Sequence, residues 1–361
     1  MERLVETAAT RGAAAPAREK RRIQTMFRRM HAVLSLYLTN KCNILCGHCG
    51  VESGPHESTL LAPEDTLAHI NALASGGGLE AIHVSGGEPF LYRNRMRMIA
   101  ACGLAANVQV AVNTNGFWSR QPERAGAMLD SMPGLTQIIL STDEYHEPFL
   151  GLEVVRDAAR IALSRELLVD IYVCTPAGRR TEFVERLESY MGEELLARVP
   201  VVVTTLEPGG RADLVPEAHW RERSRNLPSG RCDLVNRPVV LEDGDVLACC
   251  NTTVAKRCKR SPLVVGNTHR EALPDILRRA REDTLLQAIR IFGPRFVAER
   301  LDTDERARLG GEYRDGDICA LCSDIMSDAR LTEGAIQACG AEETQRLVAI
   351  GRALLAGEPD L

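Results

Sequence analysis

The chain has 361 residues, of which 45% are hydrophobic and 26% charged, and its formal net charge is −5. This composition is typical of a globular protein with a substantial core, and it indicates no nucleic-acid partner. The chain lacks both the apolar run of roughly 18 residues that a membrane span needs and the apolar core of a secretory signal, which predicts a cytoplasmic protein without a membrane partner. Its 12 cysteines therefore favour metal ligation or catalysis over a disulfide framework.

The N-terminal segment, residues 1–30, has an Ala/Pro-rich middle and carries eight basic residues against three acidic ones. Such a segment lacks the apolar pattern of a packed domain, so we predict a basic flexible arm. A basic patch for an anionic partner is the alternative.

From residue 31 to 212, short β-rich runs alternate with amphipathic stretches of helical length. Helices are predicted to begin at Pro63, which is followed by two acidic residues that suit a helix N-terminus, and near Thr181. Alternating strands and helices indicate parallel βα units, and six units are fewer than the eight of a closed barrel. We therefore predict an α/β fold with a partial (β/α)6 TIM-like barrel. The predicted strands are Val33–Leu38, Ala81–Ser85, Val108–Asn113, Gln137–Thr142, Val169–Thr175 and Pro200–Thr205.

Three cysteines at CxxxCxxC spacing, Cys42, Cys46 and Cys49, follow the first predicted strand. Thiolates ligate iron–sulfur clusters and zinc, and three residues ligate only three corners of a cubane, which leaves one iron free to bind a small molecule. A catalytic cluster needs such an open corner. A structural zinc site with a further ligand such as His48 and a set of three unrelated thiols are the alternatives.

Polar turns follow the next three predicted strands: SGGEP at 85–89, NTNG at 113–116 and STDEYH at 141–146. The carboxyl ends of parallel strands meet at one rim, where ligands bind in such folds. We therefore expect these turns and the cysteine loop to line one site.

The cysteine triplet together with the Gly-Gly-Glu-Pro turn resembles the motifs of radical S-adenosylmethionine (SAM) enzymes, over residues 33–212. The resemblance implies a [4Fe–4S] cluster on the three cysteines, whose open iron binds SAM and cleaves it reductively to a 5′-deoxyadenosyl radical. It also implies that Gly86, Gly87 and Glu88 hold the SAM amino group, since glycine permits close backbone approach and a carboxylate complements an ammonium. The implied electron donor is a flavodoxin or ferredoxin.

Further residues of the rim are candidates through the same resemblance. Ser141 and Asp143 stand where the family often contacts the SAM ribose, and Asn115 stands in the turn that lines the adenosyl site. His146, next to Tyr145, is a candidate catalytic residue that would touch the substrate. The alternatives are an ordinary polar turn and a structural histidine.

The C-terminal part contains a second set of cysteines, and a helix is predicted there from about Leu273 to Ile289. A turn-held strand and the CxxC of Cys319 and Cys322 resemble the twitch form of the SPASM extension of radical SAM enzymes, which holds one auxiliary [4Fe–4S] cluster. The resemblance implies a small α+β iron–sulfur domain at 213–330 and a C-terminal helical segment at 331–361. A zinc ribbon is the alternative. The implied ligands are Cys232, Cys249, Cys319 and Cys322.

Two other thiols, Cys250 and Cys258, are catalytic candidates as hydrogen-atom donors to a substrate radical. Cys250 follows Cys249 on a predicted strand and would point to the opposite face. Cys258 stands in a basic segment, which would lower its thiol pKa. The remaining thiols are predicted to be small core residues: Cys102, Cys174 and Cys339.

The spacing of the second cysteine set is similar to that of sugar- and aminocyclitol-modifying radical SAM dehydrogenases and epimerases of antibiotic biosynthesis. This resemblance implies a small carbohydrate-like substrate and a dehydrogenation, epimerisation or decarboxylation, the auxiliary cluster accepting an electron in a dehydrogenation. The alternative is a maturase of a ribosomally made peptide, which we disfavour because only a short arm precedes Val33. An iron–sulfur carrier is a third class, but it does not need a Gly-Gly-Glu-Pro turn at an open cluster corner.

Overall fold

The computed structural model describes residues 29–251, 254, 258 and 260–356. The predicted flexible arm before residue 29 and most of the basic residues around Cys258 lie outside the described residues. The chain divides into two compact units, whose described parts are residues 36–219 for the first and residues 29–35 with 220–356 for the second. The predicted domain limits at 212 and 330 stay predictions.

The first unit is built on a parallel sheet whose strands follow one another in chain order. Each of the pairs from β2 to β6 is parallel, so a crossover connects each strand to the next. The predicted α/β fold with a partial barrel is confirmed, and every predicted strand is found to within one residue at each end. The strands are β1 (Val33–Tyr37), β2 (Ala81–Ser85), β3 (Gln109–Thr114), β4 (Gln137–Ser141), β5 (Leu168–Thr175) and β6 (Val201–Thr205). The first three residues of β1 are assigned to the second unit.

The helices of the first unit carry their apolar residues at helical spacing. The helix predicted near Thr181 is confirmed as α6, which buries Phe183 and Leu187 and ends at Gly192, whose φ of 76° is a left-handed conformation that favours glycine. The single helix predicted from Pro63 is instead two short helices, α1 and α2. The helices are α1 (Glu64–Leu67), α2 (Ile70–Ser75), α3 (Arg93–Ala106), α4 (Pro122–Asp130), α5 (Leu152–Leu163), α6 (Glu182–Met191) and α7 (Glu193–Leu196).

The sheet of the first unit has one apolar face and one polar face. Alternate residues of the strands, such as Val110 and Ile171, are apolar and fully buried. The intervening positions are half-buried, and their side chains pair across neighbouring strands. The polar face carries two such pairs: His83 Nε2 lies 2.9 Å from Asn113 Oδ1, and Gln137 Nε2 donates a hydrogen bond of 2.5 Å to Asp170.

The second unit combines short antiparallel strands with helices. The helix predicted over residues 273–289 is interrupted at Asp283, because the side chain of Asp283 accepts the backbone N–H of Leu286 at 2.9 Å and so caps a new helix, α9. The antiparallel strands are β7 (Arg223–Ser224), β8 (Val239–Val240), β9 (Asp245–Leu247), β10 (Val264–Asn267) and β11 (Tyr313–Arg314). The helices are α8 (Leu273–Glu282), α9 (Thr284–Phe292), α10 (Pro294–Ala298), α11 (Thr303–Arg306), α12 (Ile318–Ser327), α13 (Ala329–Gly340) and α14 (Glu342–Ala356).

The length and composition of the described helices bear on whether any of them spans a membrane. None of them has the length and apolar composition needed to cross a bilayer.

Candidate active site

The cysteine loop follows β1 and is tied down by its own backbone. Cys42 donates its backbone N–H to Gly54 at 3.0 Å, which closes the loop. The guanidinium of Arg211 donates to the carbonyls of Cys46 at 2.8 Å and Ser53 at 2.7 Å. Arg211 belongs to the turn Gly210-Arg211-Ala212, which follows β6, so this turn also holds the cysteine loop in place.

The three thiols of this loop lie together against an apolar wall. Cys42 and Cys46 are buried, Cys49 is half-buried, and all three are free thiols. Burial, together with the neighbouring Glu88, Cys46 and Cys49, raises the pKa of the Cys42 thiol to about 12. Thiols in such surroundings become thiolates only beside a cation, so this donor set fits an iron–sulfur cluster or another thiophilic metal.

The Gly-Gly-Glu turn after β2 packs its backbone directly on the cysteine loop. Gly87 donates its N–H to Thr39 at 2.6 Å, and Glu88 donates its N–H to Lys41 at 2.8 Å. A Cβ on Gly86 would lie 2.5 Å from the carbonyl oxygen of Thr39, and a Cβ on Gly87 would lie 2.2 Å from that of Lys41. The two glycines are therefore needed for this approach, whatever they contact in a ligand complex.

Because the Gly87 clash is with backbone, we expect Gly87→Ala to destabilise the first unit by about 3 kcal/mol, the upper part of the range for overpacked sites. Denaturant unfolding of the metal-free protein measures this loss. Gly76→Ala is the matched control, since its nearest neighbour would be an ordinary 3.5 Å contact with Ala72 and its cost is expected within about 0.5 kcal/mol. Equal stabilities for the two variants would contradict the packing role of Gly87.

The side chain of Glu88 is fully buried and has four hydrogen bonds inside the protein. Its carboxylate accepts the backbone N–H of Phe90 at 3.0 Å and of Asn115 at 2.8 Å, and the hydroxyl of Thr114 donates to both oxygens, at 3.0 and 3.1 Å. Burial raises the pKa of Glu88 to about 7, although these hydrogen bonds oppose the rise. The carboxylate therefore joins the turns after β2 and β3, and its contact with a SAM amino group stays a prediction.

Asn115 links the turn after β3 to the cysteine loop. Its amide donates to Asn43 Oδ1 at 2.9 Å and lies 3.9 Å from Cys42 Sγ. Ser141 is half-buried at the end of β4. The structure thus brings Asn115 next to the cysteine loop, and Ser141 lies at the carboxyl end of β4. Their roles toward SAM stay predictions.

Asp143 is the centre of a compact group of rings on the turn after β4. Its carboxylate lies 3.0 Å from His48 Nε2 and 2.8 Å from His146 Nδ1, and it also accepts the backbone N–H groups of Tyr145 at 2.9 Å and His146 at 3.1 Å. Burial would raise the pKa of Asp143, but the two histidines hold it well below its usual range. A direct contact between Asp143 and a ribose would have to displace these partners.

The two histidines of this group differ in their surroundings. Burial lowers the pKa of His146, but Asp143 and, more weakly, the Cys46 side chain raise it overall to about 10. His48 stacks on Tyr145 with 4.6 Å between ring centroids and 17° between planes. Its Nδ1 is buried and has no hydrogen-bond partner within the described part of the chain. A nitrogen of each histidine and Cys46 Sγ lie within 4.8 Å of one another, so the zinc alternative also has donors here.

The prediction that Cys174 is a small core residue is wrong. This thiol is half-buried at the end of β5, on the polar face of the sheet rather than among the apolar side chains. Burial raises its pKa to about 12, and the negative charges of Asp143 and Glu207 add to this rise. The alternation of apolar and polar residues along β5 is the signal that would have found it, since Asp170 and Tyr172 have the same parity.

The second set of thiols gathers around one cavity of the second unit, lined by the four predicted ligands and by apolar side chains such as Val254 and Leu263. Burial raises the pKa of Cys232 to about 11, and it raises that of Cys249 well above its usual range, with Cys232, Cys250 and Cys319 adding to the rise at Cys249. The four thiols lining the cavity are Cys232, Cys249, Cys319 and Cys322.

The two cysteines proposed as hydrogen donors are placed differently from the prediction. Strand β9 ends at Leu247, so Cys249 and Cys250 lie in a bend and the argument from alternating strand faces is wrong. Cys250 is half-buried, close enough to Cys249 to influence its pKa. Cys258 is 2% exposed, with its thiol 3.9 Å from the carbonyl of Ser323, so it is not an accessible reactive thiol in this structure. Cys339 is buried, as predicted, whereas Cys102 is half-buried rather than a core residue.

Residues 36–161 match the model of the Radical SAM superfamily. The chain is similar to "Putative peptide biosynthesis protein YydG" of Bacillus subtilis (strain 168), with 21% identity over 307 residues that cover 82% of this chain and 92% of the relative. It is also similar to GTP 3′,8-cyclase of Edwardsiella ictaluri (strain 93-146), with 25% identity over 298 residues that cover 72% of this chain and 88% of the relative.

Among solved structures, Streptococcus suis SuiB bound to S-adenosylmethionine matches with a TM-score of 0.42 and 13% identity, covering 86% of this chain and 79% of that one.

Proposed function

Residues 36–161 form a radical SAM domain, and from this premise we propose that the chain is a radical SAM enzyme that modifies a peptide. The single observation that carries the substrate class is the similarity to the YydG protein, which extends over 82% of the chain and 92% of that relative. The sequence alone favoured a carbohydrate-like substrate, but the comparisons give that preference no support over a peptide.

Under this proposal Cys42, Cys46 and Cys49 hold a [4Fe–4S] cluster. When bound, the cluster and SAM together supply a 5′-deoxyadenosyl radical that takes a hydrogen atom from the substrate. The chain's own contribution is to bring the turns after β2, β3 and β4 against the cysteine loop. The buried, unpartnered Nδ1 of His48 supports a ligand here, because buried polar atoms are rarely left unsatisfied.

The polar face of the sheet supports a neutral or cationic substrate. Strands β1 to β6 contain no lysine or arginine, while Asp170 on β5 is a half-buried carboxylate. A nucleoside triphosphate needs cationic partners for its phosphates, and these strands do not supply them. This charge pattern favours a peptide over a nucleotide such as the GTP named in the second relative.

We propose further that Cys232, Cys249, Cys319 and Cys322 hold an auxiliary [4Fe–4S] cluster. The support is that all four thiols line one apolar cavity of the second unit. When bound, a cluster with four protein ligands transfers single electrons and has no open iron for a substrate. Cys232 and Cys249 are buried, and Cys319 and Cys322 are half-buried, so the site is partly shielded from water, and solvent exposure is one of the factors that set a cluster's potential.

The test of the substrate class is stimulation of SAM cleavage. The anaerobically reconstituted protein is mixed with SAM and dithionite, and 5′-deoxyadenosine is measured with three additions: short linear peptides, GTP and an aminocyclitol. We expect at least one peptide to accelerate cleavage about tenfold and to change in mass, since the binding energy of the correct substrate is used to stabilise the transition state. Stimulation by GTP or the aminocyclitol alone would contradict the peptide assignment. Absence of cleavage under every condition would contradict the enzyme assignment itself.

A further inference from the structure

A group of three rings around one carboxylate joins the cysteine loop to the turn after β4. His48 lies within the CxxxCxxC sequence, between Cys46 and Cys49, and its Nε2 pairs with Asp143 at 3.0 Å. Tyr145 stacks on one face of the His48 ring. The loop is therefore held by side chains as well as by its backbone.

The second histidine of this group lies between Asp143 and a cysteine of the loop. His146 Nδ1 is 2.8 Å from Asp143, and a nitrogen of the His146 ring lies within 4.8 Å of Cys46 Sγ. His146 stands edge-on to His48, with 5.2 Å between ring centroids and 75° between planes. The contact with Asp143 therefore fixes the orientation of the imidazole, and Cys46 Sγ lies near the same ring.

The position of Asp143 shows why this orientation is stable. The residue is 1% exposed, and a buried carboxylate needs charged or hydrogen-bonding partners to offset its lost hydration. Both histidines and two backbone N–H groups supply them. Removing the carboxylate would free both rings at once.

We propose that Asp143 is a positioning residue that holds His146 so that the second ring N–H donates to Sγ of Cys46 when Cys46 ligates the cluster, and that this hydrogen bond raises the cluster's reduction potential. The inference rests on the proposed function only in taking Cys46 as a cluster ligand. An N–H directed at a ligating sulfur stabilises the extra negative charge of the reduced cluster, and hydrogen bonds to the sulfurs are among the factors that set cluster potentials.

Two substitutions of His146 separate its two contacts. In His146→Asn the side-chain amide reaches the place of Nδ1, so the Asp143 contact is kept and the donor to Cys46 is lost. In His146→Gln the longer amide reaches the place of Nε2, so the donor to Cys46 is kept. The measurement is an anaerobic redox titration of the cluster, followed by electron paramagnetic resonance, on protein that carries Ala at Cys319 and Cys322 so that only the first cluster is observed.

For His146→Asn we expect the ratio of reduced to oxidised cluster at a fixed potential to fall about tenfold, which is about 59 mV for one electron. The reduction potential of His146→Gln is expected to stay close to that of the parent. The reduction potential of Asp143→Ala should shift in the same direction as that of His146→Asn, since loss of the carboxylate releases the His146 ring. His56→Asn, an exposed histidine of the same loop region, is the control and should not shift.

Loss of the cluster in His146→Asn with retention in His146→Gln would also support the proposal, because the two variants differ in the donor that faces Cys46. Unchanged potentials in both variants, equal shifts in both, or loss of the cluster from both would overturn it. Iron analysis of the parent separates failure of this proposal from failure of the proposed function. A parent without iron on the cysteine loop refutes the cluster assignment. A parent with iron, together with variants whose potentials do not shift, refutes only the role of His146.

Discussion

Replacing Cys42, Cys46 and Cys49 together with alanine is expected to remove about four irons per chain and to abolish reductive cleavage of SAM, because each [4Fe–4S] cluster holds four irons and this one is the site of SAM binding. The parent protein, with both proposed clusters, is expected to hold about eight irons. Iron and acid-labile sulfide are measured after anaerobic reconstitution, and 5′-deoxyadenosine is measured with dithionite as reductant.

The matched control for this variant is Cys102→Ala. Cys102 is a half-buried thiol of the same unit, and its Sγ lies 3.7 Å from the carbonyl of Leu67, away from the cysteine loop. It should keep the parental iron content and cleavage. Retention of SAM cleavage by the triple variant would refute the central assignment, and an equal loss of iron in Cys102→Ala would show that the loss is not specific to the loop.

The second large effect is expected at the CxxC of the second unit. Replacing Cys319 and Cys322 with alanine should remove about four irons per chain and leave the first cluster in place, because two of four thiolates cannot hold a [4Fe–4S] cluster. Cleavage of SAM should continue in this variant, but conversion of the substrate should fall at least about tenfold if the auxiliary cluster takes up an electron during turnover.

Cys250→Ala tests which thiols are the ligands, since Cys250 adjoins Cys249 but does not line the cavity of the four proposed ligands. It should keep about eight irons. A parent with about four irons and one zinc per chain would contradict the auxiliary cluster and favour a zinc ribbon. A parental iron count in the Cys319/Cys322 variant would show that the cluster uses other thiols, of which Cys250 and Cys258 are the nearest candidates.

Strands were easier to predict than helices in this chain, for a physical reason. A strand such as β3 is a short run with alternating valines, and its period of two residues is visible in the sequence. The helix expected over 273–289 has a continuous apolar pattern through Asp283, and the interruption depends on whether one side chain caps a backbone N–H. Competition between capping and propagation is a difference of about 1 kcal/mol, too small for a periodic pattern to decide.

In the candidate site, too, local motifs were predicted from the sequence, whereas contacts between distant segments were not. The cysteine loop and the Gly-Gly-Glu turn are local motifs, so their residues were identified from spacing. The partners of Glu88 were not, because its carboxylate is bonded to a turn about 27 residues away in sequence, between Thr114 and Asn115. The expectation that Cys250 faces away from Cys249 failed because the strand ends before both residues.

By itself, the sequence determined the parallel βα fold and the three thiols of the cysteine loop, because periodicity and ligand spacing act over a few residues, while the thiols of the second site followed from a family resemblance. Only the tertiary structure decided that Asp143 binds two histidines, one of them within the cysteine loop. A buried carboxylate must find partners, but which groups lie within 3 Å of it depends on how separate turns pack at one rim. The partners of Asp143 therefore depend on the packing of the whole fold, because close packing fixes which groups surround a buried charge.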